Sequence, residues 1–367
     1  MKNKASILGF FSGIKDHRLD RKKEHQLIDI IAITISSVIC GAENWNEVEM
    51  YGKVREPWYR TFLELPNGIP SHDTFNRFFA QLDPLAFETC FKQWVASLVD
   101  ITQVSLVSID GKTIRDSKLS GPRSAIHMVS AWANDNNTVL GQLKVTDKSN
   151  EITAIPKLLE ALFLENSLVS IDAMGCQRNI AAAVLAKKAD YLLAVKENQK
   201  ELYRNIEDTF RFSKPVGAIS DIDAGHGRVE TRKCTVVTDL SHIEDRDNWK
   251  GLRTLVKLES ERYIKATGKK ETSTRYYISS KAAAADYFQR NIRSHWAIEN
   301  KLHWMLDVVF HEDQSRKKAG NAAQNFSLIN KIALSILRNE TSVKIGVKGR
   351  RLLAGWDNDF LLKLLKF

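Results

Sequence analysis

A hexapeptide that occurs twice constrains the fold of this chain more than any other feature. Ser105–Asp110 and Ser167–Asp172 both read Ser-Leu-Val-Ser-Ile-Asp. Short runs dominated by Leu, Val and Ile are typical of buried strands. Carboxylates at the carboxyl ends of such strands project into the crevice where α/β sheets bind ligands. The repeat therefore predicts that Asp110 and Asp172 lie side by side and share a divalent cation, whereas either copy alone would read as a turn capped by Asp.

Strands and helices alternate around the two copies. The predicted elements are strands Ser105–Asp110, Ala125–Ala133 and Val139–Thr146, helix Ile155–Leu164, strand Ser167–Asp172, helix Asn179–Lys188 and strand Tyr191–Lys196. This β-β-β-α-β-α-β order is that of an RNase H-like fold, which carries its two metal-binding Asp residues on the first strand and on the strand after the first helix. We therefore predict an α/β fold with an RNase H-like catalytic core, a mixed sheet flanked by helices.

The remaining segments are arranged around this core. The predicted domains are an all-helical N-terminal domain (1–100), the first part of the core (101–204), a β-rich insertion (205–280), the final core helices (281–340) and a basic C-terminal tail (341–367). The N-terminal domain is expected to bind DNA ends, although its short helices with interspersed Arg and Lys are also compatible with plain packing.

Composition narrows the class of partner. The chain has 54 Lys and Arg against 44 Asp and Glu, which favours a polyanion, and nucleic acid first. Its four Cys form no C-x-x-C pair, which argues against structural zinc and a disulfide framework. The most apolar run, Leu27–Cys40, is too short to cross a membrane and contains Asp29. With no signal-peptide cleavage site after Ile7–Phe11, we expect a cytoplasmic protein that is nucleoid-associated when bound to DNA.

A long helix, predicted over Ala283–Phe310, carries polar side chains at every fourth residue. They are His295, Glu299, His303, Asp307 and His311. On an α-helix each step of four rotates about 40° past a full turn and rises about 6 Å, so the five cannot converge on one ion. A zinc site built from this stripe alone is therefore not expected, but one member can reach a metal held by the two Asp residues.

Several motifs together resemble one known family. The motifs are Ser108–Lys112, Ser170–Gln177, Lys196–Gln199 and His295–Asp313, with Asp16–Arg18 and Pro70–Phe75 near the N-terminus. They resemble the H-repeat-associated family of insertion-sequence transposases, in the DDE class, and its associated helical domain. The resemblance covers nearly the whole chain, and the last core motif is the most specific.

The resemblance implies a function and a site. Asp110, Asp172 and Glu299 would be the catalytic triad and the metal ligands, with two Mg²⁺ ions that Mn²⁺ can replace. The activity implied is cleavage of double-stranded DNA at the element's terminal repeats, followed by attack of the 3′-OH on target DNA. A homodimer assembled on the DNA is also implied.

The neighbourhood of Glu299 departs from related insertion-sequence transposases. They place Tyr and Arg before the Glu and Lys after it, where this chain has Ile292, His295 and Leu306. His295 is expected to replace the Arg in holding phosphate, and the Lys has no evident substitute. The candidate DNA contacts are Lys112, Lys144, Arg178, Lys196, Arg228, Arg232, His295 and Trp296. For Trp296, stacking on a flipped base and burial in the core are both open interpretations.

Two other functions remain compatible with the sequence. One is a degenerate copy that binds DNA without cutting it. The other is a metal-dependent nuclease without strand transfer. Both predict DNA binding, so only the products of the reaction separate them from a transposase.

Overall fold

The computed structural model describes residues 7–20, 23–98, 100, 103–118, 125–145, 150–225 and 227–365. At its centre is one nine-stranded mixed sheet in the order β3-β2-β1-β4-β5-β9-β8-β7-β6. The strands are β1 Leu106–Ile114, β2 Ile126–Ala133, β3 Thr138–Lys144, β4 Leu168–Ile171, β5 Asp190–Val195, β6 Gly217–Gly225, β7 Arg228–Val237, β8 Thr254–Ile264 and β9 Lys269–Ser279. Strand β4 is parallel to β1 and β5, and all other pairs are antiparallel. The RNase H-like order is confirmed, although Thr146 lies outside the described residues.

Helices cover the sheet and form the N-terminal segment. They are α1 Ile7–Phe11, α2 Leu27–Ile39, α3 Trp45–Tyr59, α4 His72–Gln81, α5 Pro84–Leu98, α6 Glu151–Glu160, α7 Arg178–Ala186, α8 Lys200–Phe212, α9 Ala285–His295, α10 Trp304–Val308, α11 Ala322–Asn339, α12 Val347–Trp356 and α13 Asn358–Leu365. Asn44 and Ser71 cap α3 and α4 as acceptors of backbone N–H groups. No helix among the described residues is long and apolar enough to cross a membrane.

The central strands β1, β4 and β5 are largely buried on both faces, which explains the apolar runs that identified them. Leu168 of β4 packs in a cluster with Phe288 and Ile292 of α9, whereas its neighbour Val169 packs in the larger cluster on the other face. Helix α11, almost entirely buried, packs against α2, α4, α5 and β3 and so links the N-terminal helices to the core.

The predicted β-rich insertion continues the central sheet. Strands β6 to β9 form an antiparallel meander, and β9 pairs with β5 to join it to the core. The segment predicted as a basic tail contains α12 and α13. Arg351 on α12 is buried. Its guanidinium donates to the backbone carbonyls of Val38 and Val309, which satisfies the buried group.

The prediction of one unbroken α-helix over Ala283–Phe310 is wrong. Helix α9 ends at His295, a π-helical turn spans Ile298–His303, and α10 follows. A π-turn closes i→i+5 hydrogen bonds and so holds more residues per turn than an α-turn. Side chains four residues apart consequently stay on one side of this segment instead of drifting around it.

Candidate active site

Strand register brings the two repeated aspartates together. Ser108 pairs with Ser170 and Ile109 with Ile171 in the parallel β1–β4 ladder, so Asp110 and Asp172 are the next residues on adjacent strands. The carboxylate of Asp172 accepts hydrogen bonds from the backbone N–H groups of Met174 at 3.0 Å and Gly175 at 3.4 Å. Backbone geometry alone therefore fixes the separation of the strands and the orientation of the second carboxylate.

Both aspartates are partly buried among other carboxylates. Burial, and then the charges of Asp172, Glu299 and Glu151, raise the pKa of Asp110 to about 7. Burial and the charge of Glu151 raise the pKa of Asp172 above its ordinary value. Among the described residues, no Lys or Arg forms an ion pair with either aspartate. Crowded carboxylates of this kind are stabilised by a bound cation.

Glu299 completes the predicted triad from the π-helical turn. A cleft of about 650 Å³ is lined by Asp110, Asp172 and Glu299, and three further predicted residues, Lys196, His295 and Trp296, line it as well. The Glu299 side chain is exposed to this cleft rather than packed. In the described part of the chain no three His, Cys, Asp or Glu side chains are already close enough to enclose an ion. The donors present are all carboxylate oxygens, which suit Mg²⁺ and Mn²⁺.

Two histidines of the polar stripe face the aspartates. His303 Nδ1 lies 3.4 Å from Asp110 Oδ2, and His295 Nδ1 is hydrogen-bonded to Ser170 Oγ at 2.8 Å. Burial lowers the pKa of His303 to about 3 and that of His295 to about 4, so both rings are neutral at neutral pH. The predicted phosphate contact of His295 would therefore be a hydrogen bond of a neutral ring and not an ion pair.

A second cleft adjoins the first. It has a volume of about 830 Å³ and is lined by the predicted residues Arg228 and Arg232, and both clefts share Arg275 and Trp296. The Arg275 guanidinium lies 5.1 Å from the centre of the Trp296 ring, which is 42% exposed. Trp296 is therefore a surface residue between the two clefts.

Three predicted DNA contacts lie outside both clefts. Lys112 is enclosed by Asp307, Glu312 and Asp313. The guanidinium of Arg178 forms an ion pair with Asp245, and Lys144 is half-buried at the end of β3. A role for these three in DNA binding stays a prediction.

Sequence reasoning missed Glu151 and its partner His127. Glu151 begins α6, and its Oε1 lies 2.6 Å from His127 Nε2 on β2. Acidic residues are common in the first turn of any helix, so nothing in the local sequence distinguishes Glu151. Only the fold shows that it lies against Gly111, directly after Asp110, and that α6 packs against the turn after Asp172.

Comparison with known proteins identifies the family. The profile described as "Transposase DDE domain" matches residues 100–336, and the profile described as "DDE_Tnp_1-associated" matches residues 8–95. The protein named "Putative transposase YncI" of Escherichia coli O157:H7 is 46% identical over 353 residues, which are 94% of this chain and 90% of that protein. The "H repeat-associated putative transposase YhhI" of Escherichia coli K12 is 40% identical over 369 residues, 98% of this chain and 97% of that protein.

Among solved structures, the cryo-EM structure of a piggyBac transposase synaptic complex with hairpin DNA matches 99% of this chain and 76% of that chain. The TM-score is 0.42 and the identity 10%. Because the TM-score and the identity are this low, we describe the fold from the strand order and not from this match. Both profiles and the two near-full-length relatives agree with the family that the sequence motifs resemble. The chain therefore belongs to the H-repeat-associated transposases of the DDE class.

Proposed function

We propose that this protein cleaves double-stranded DNA at the ends of an insertion sequence and joins the released 3′-OH ends to target DNA, with Asp110, Asp172 and Glu299 as catalytic carboxylates. The observation that carries the proposal is the register of β1 and β4, which sets Asp110 and Asp172 side by side in a cleft that Glu299 also lines. DNA cutting is the activity that the DDE domain suggests.

The donor set fits the divalent cations with which the DDE family typically works. Asp110, Asp172 and Glu299 would hold Mg²⁺, or Mn²⁺ in its place. Two such ions, when bound, would supply activation of the attacking oxygen and stabilisation of the leaving oxygen in phosphoryl transfer. Before a cation binds, the carboxylates repel one another, and a bound cation would relieve that repulsion.

The chain's other residues would hold and orient the substrate. Lys196 lines the cleft and lowers the pKa of Asp172 by its charge, so it is placed to attract phosphate. The adjoining cleft extends the path of a bound strand to Arg228 and Arg232. Trp296, exposed where the clefts meet, offers a ring face to an unstacked base.

The test is an assay of the full chain with DNA carrying the element's ends, in Mg²⁺ or Mn²⁺. Wild type is compared with Asp110→Asn, Asp172→Asn and Glu299→Gln. Glu165→Gln is the matched control, because Glu165 precedes β4, at the end of the strand opposite Asp172, and forms an exposed ion pair with Lys188. We expect wild type and control to cleave and join ends, and the three triad variants to bind DNA but do neither.

The other functions give different products. Cleavage without joined product would identify a nuclease, and DNA binding without cleavage in either metal would identify a degenerate copy. Full activity of Glu299→Gln would remove Glu299 from the triad while leaving the two aspartates in place.

A further inference from the structure

A fourth carboxylate, Glu151, lies against Gly111, the residue directly after Asp110. It begins α6, which packs against β2 and against the turn Ala173–Gly175 that directly follows Asp172. Its side chain is 19% exposed. Glu151 thus approaches the two aspartates from a different element than Glu299 does, on the side of the sheet that α6 covers.

A short hydrogen-bonded chain holds Glu151 in place. Its Oε1 lies 2.6 Å from His127 Nε2, and His127 Nδ1 lies 2.8 Å from Thr113 Oγ1. With the hydroxyl of Thr113 donating to Nδ1, the Nε2–H of His127 donates to the carboxylate. Both ring nitrogens are then occupied, which fixes the ring orientation and directs Glu151. Histidine hydrogen bonds of this type are how proteins orient groups around metals.

Gly111 provides the space that this arrangement needs. A Cβ atom at position 111 would lie 2.2 Å from Glu151 Oε1 and 2.5 Å from His127 Nε2. Glycine directly after Asp110 therefore allows the Glu151–His127 pair to lie against the strand. An acid that served only to stabilise the start of α6 would need neither the histidine nor this clearance.

Glu151 lies beside residues that adjoin both aspartates. Its carboxylate lies against Gly111, directly after Asp110, and α6 packs against the turn that directly follows Asp172. No Lys or Arg of the described residues forms an ion pair with Glu151. A carboxylate that a histidine holds next to this pair of strand ends, without a Lys or Arg partner among the described residues, is suited to a hard cation with oxygen ligands.

We propose that Glu151 is a further carboxylate ligand of the divalent-cation centre at Asp110 and Asp172, and that His127 is the residue that positions it. This proposal rests on the proposed function, because it assigns one more ligand to the same centre. Glu151 reaches the centre from the α6 face and Glu299 from the opposite helical segment, so the cation would be held from both sides of the strand ends.

The test measures Mn²⁺ binding to the full chain without DNA, by calorimetry and by electron paramagnetic resonance, beside cleavage of element ends. We expect His127→Gln to weaken Mn²⁺ binding by about 10-fold, within the range for residues that orient a metal ligand, and Glu151→Gln, which alters the proposed ligand itself, by about 100-fold. Glu160→Gln, at the other end of the same helix and exposed, is the matched control and should bind Mn²⁺ as wild type does. Glu151→Asp keeps a negative charge in the first turn but shortens the side chain, so a metal ligand loses affinity whereas a helix-stabilising acid does not.

The outcomes separate this inference from the function it rests on. If wild type binds Mn²⁺ and cleaves, and Asp110→Asn does neither, but Glu151→Gln and Glu151→Asp keep wild-type affinity and cleavage, the role of Glu151 is overturned alone. If wild type neither binds Mn²⁺ nor cleaves, both the inference and the proposed function are wrong. Unfolding temperatures of the variants, measured in chelator, show whether any loss of binding is a loss of folding.

Discussion

Asp110 and Lys112 lie two residues apart on the same face of β1, but Lys112 is surrounded by opposite charges and Asp110 by like charges. Lys112 Nζ lies 2.7 Å from Asp307 Oδ1, 2.7 Å from Asp313 Oδ1 and 3.7 Å from Glu312 Oε2. Although burial lowers it, these three carboxylates raise the pKa of Lys112 above its usual value. Asp110 is equally enclosed, but its charged neighbours are further carboxylates.

This difference distinguishes a structural charge from a functional one. Lys112 links β1 to the segment after α10 with counter-ions from the chain itself, so the buried charge is compensated in the isolated protein. The charge of Asp110 is compensated only when something else binds. Strongly perturbed carboxylates in a cleft are candidates for function for this reason.

The largest effect is expected at Asp110. Asp110→Asn should lower the rate of end cleavage by about 10³-fold, in the range found when one electrostatic catalytic group is removed. It should also raise the unfolding temperature of the metal-free protein, because one of the repelling charges is lost. Glu299→Gln is the informative comparison. Because Glu299 is exposed, its substitution should lower activity without raising the unfolding temperature. Destabilisation of the metal-free protein by Asp110→Asn would contradict our comparison with Lys112.

The second-largest effect is expected at Lys112, on the free energy of unfolding. Lys112→Met leaves Asp307, Glu312 and Asp313 without their shared cation, and removal of one partner from a buried ion pair costs about 3 kcal/mol. Denaturant unfolding should report this loss. Lys270→Met is the control on another strand, because Lys270 pairs with Glu261 at 2.9 Å on the surface and should change stability by less than about 0.5 kcal/mol. Equal losses in both variants would mean that Lys112 is an ordinary surface cation.

The sequence predicted the parts of this site that strands carry. The repeat identified Asp110 and Asp172 because a strand has a period and a clear end, and the parallel register of β1 and β4 then follows from the fold. At Glu299 the sequence predicted an α-helix where the structure has a π-helical turn, since a π-turn leaves no periodic signal distinct from that of an α-helix. The rotation of these polar side chains around the helix axis was therefore overestimated. In the structure, His295, His303 and Asp307 all face β1 and β4.

The pairing of side chains from distant segments could not be predicted from the sequence. Lys112 was predicted to contact phosphate, and no sequence pattern indicated its three carboxylate partners, which come from residues about 200 positions away. Glu151 was missed for the same reason, because only the packing of α6 brings it to the aspartates. Contacts between distant segments carry no local pattern.

The third effect is a pH dependence. The pKa of Asp110 is about 7 in the folded protein against an ordinary value of 3.8, so its ionisation destabilises the fold above pH 7 and this penalty disappears as pH falls from 7 towards 4. Asp110→Asn lacks the penalty. We expect the metal-free variant to exceed wild type in stability by on the order of 2 kcal/mol at pH 8 and by much less at pH 5. Mg²⁺ at pH 8 should narrow the gap; a gap independent of pH and Mg²⁺ would contradict the uncompensated charge.

The smallest effect is expected at Gly111, between the two compared residues. Gly111→Ala introduces a Cβ atom 2.2 Å from Glu151 Oε1, so the flexible end of Glu151 must move away from the strand. We expect roughly a 10-fold loss of Mn²⁺ affinity, the lower end of the range for displaced outer groups. Gly217→Ala at the start of β6 has open space around it and is the control. In a Glu151→Gln background the Gly111→Ala change should cost little more, because the ligand it displaces is already lost, and a full additive loss would show that Gly111 acts on Asp110 directly.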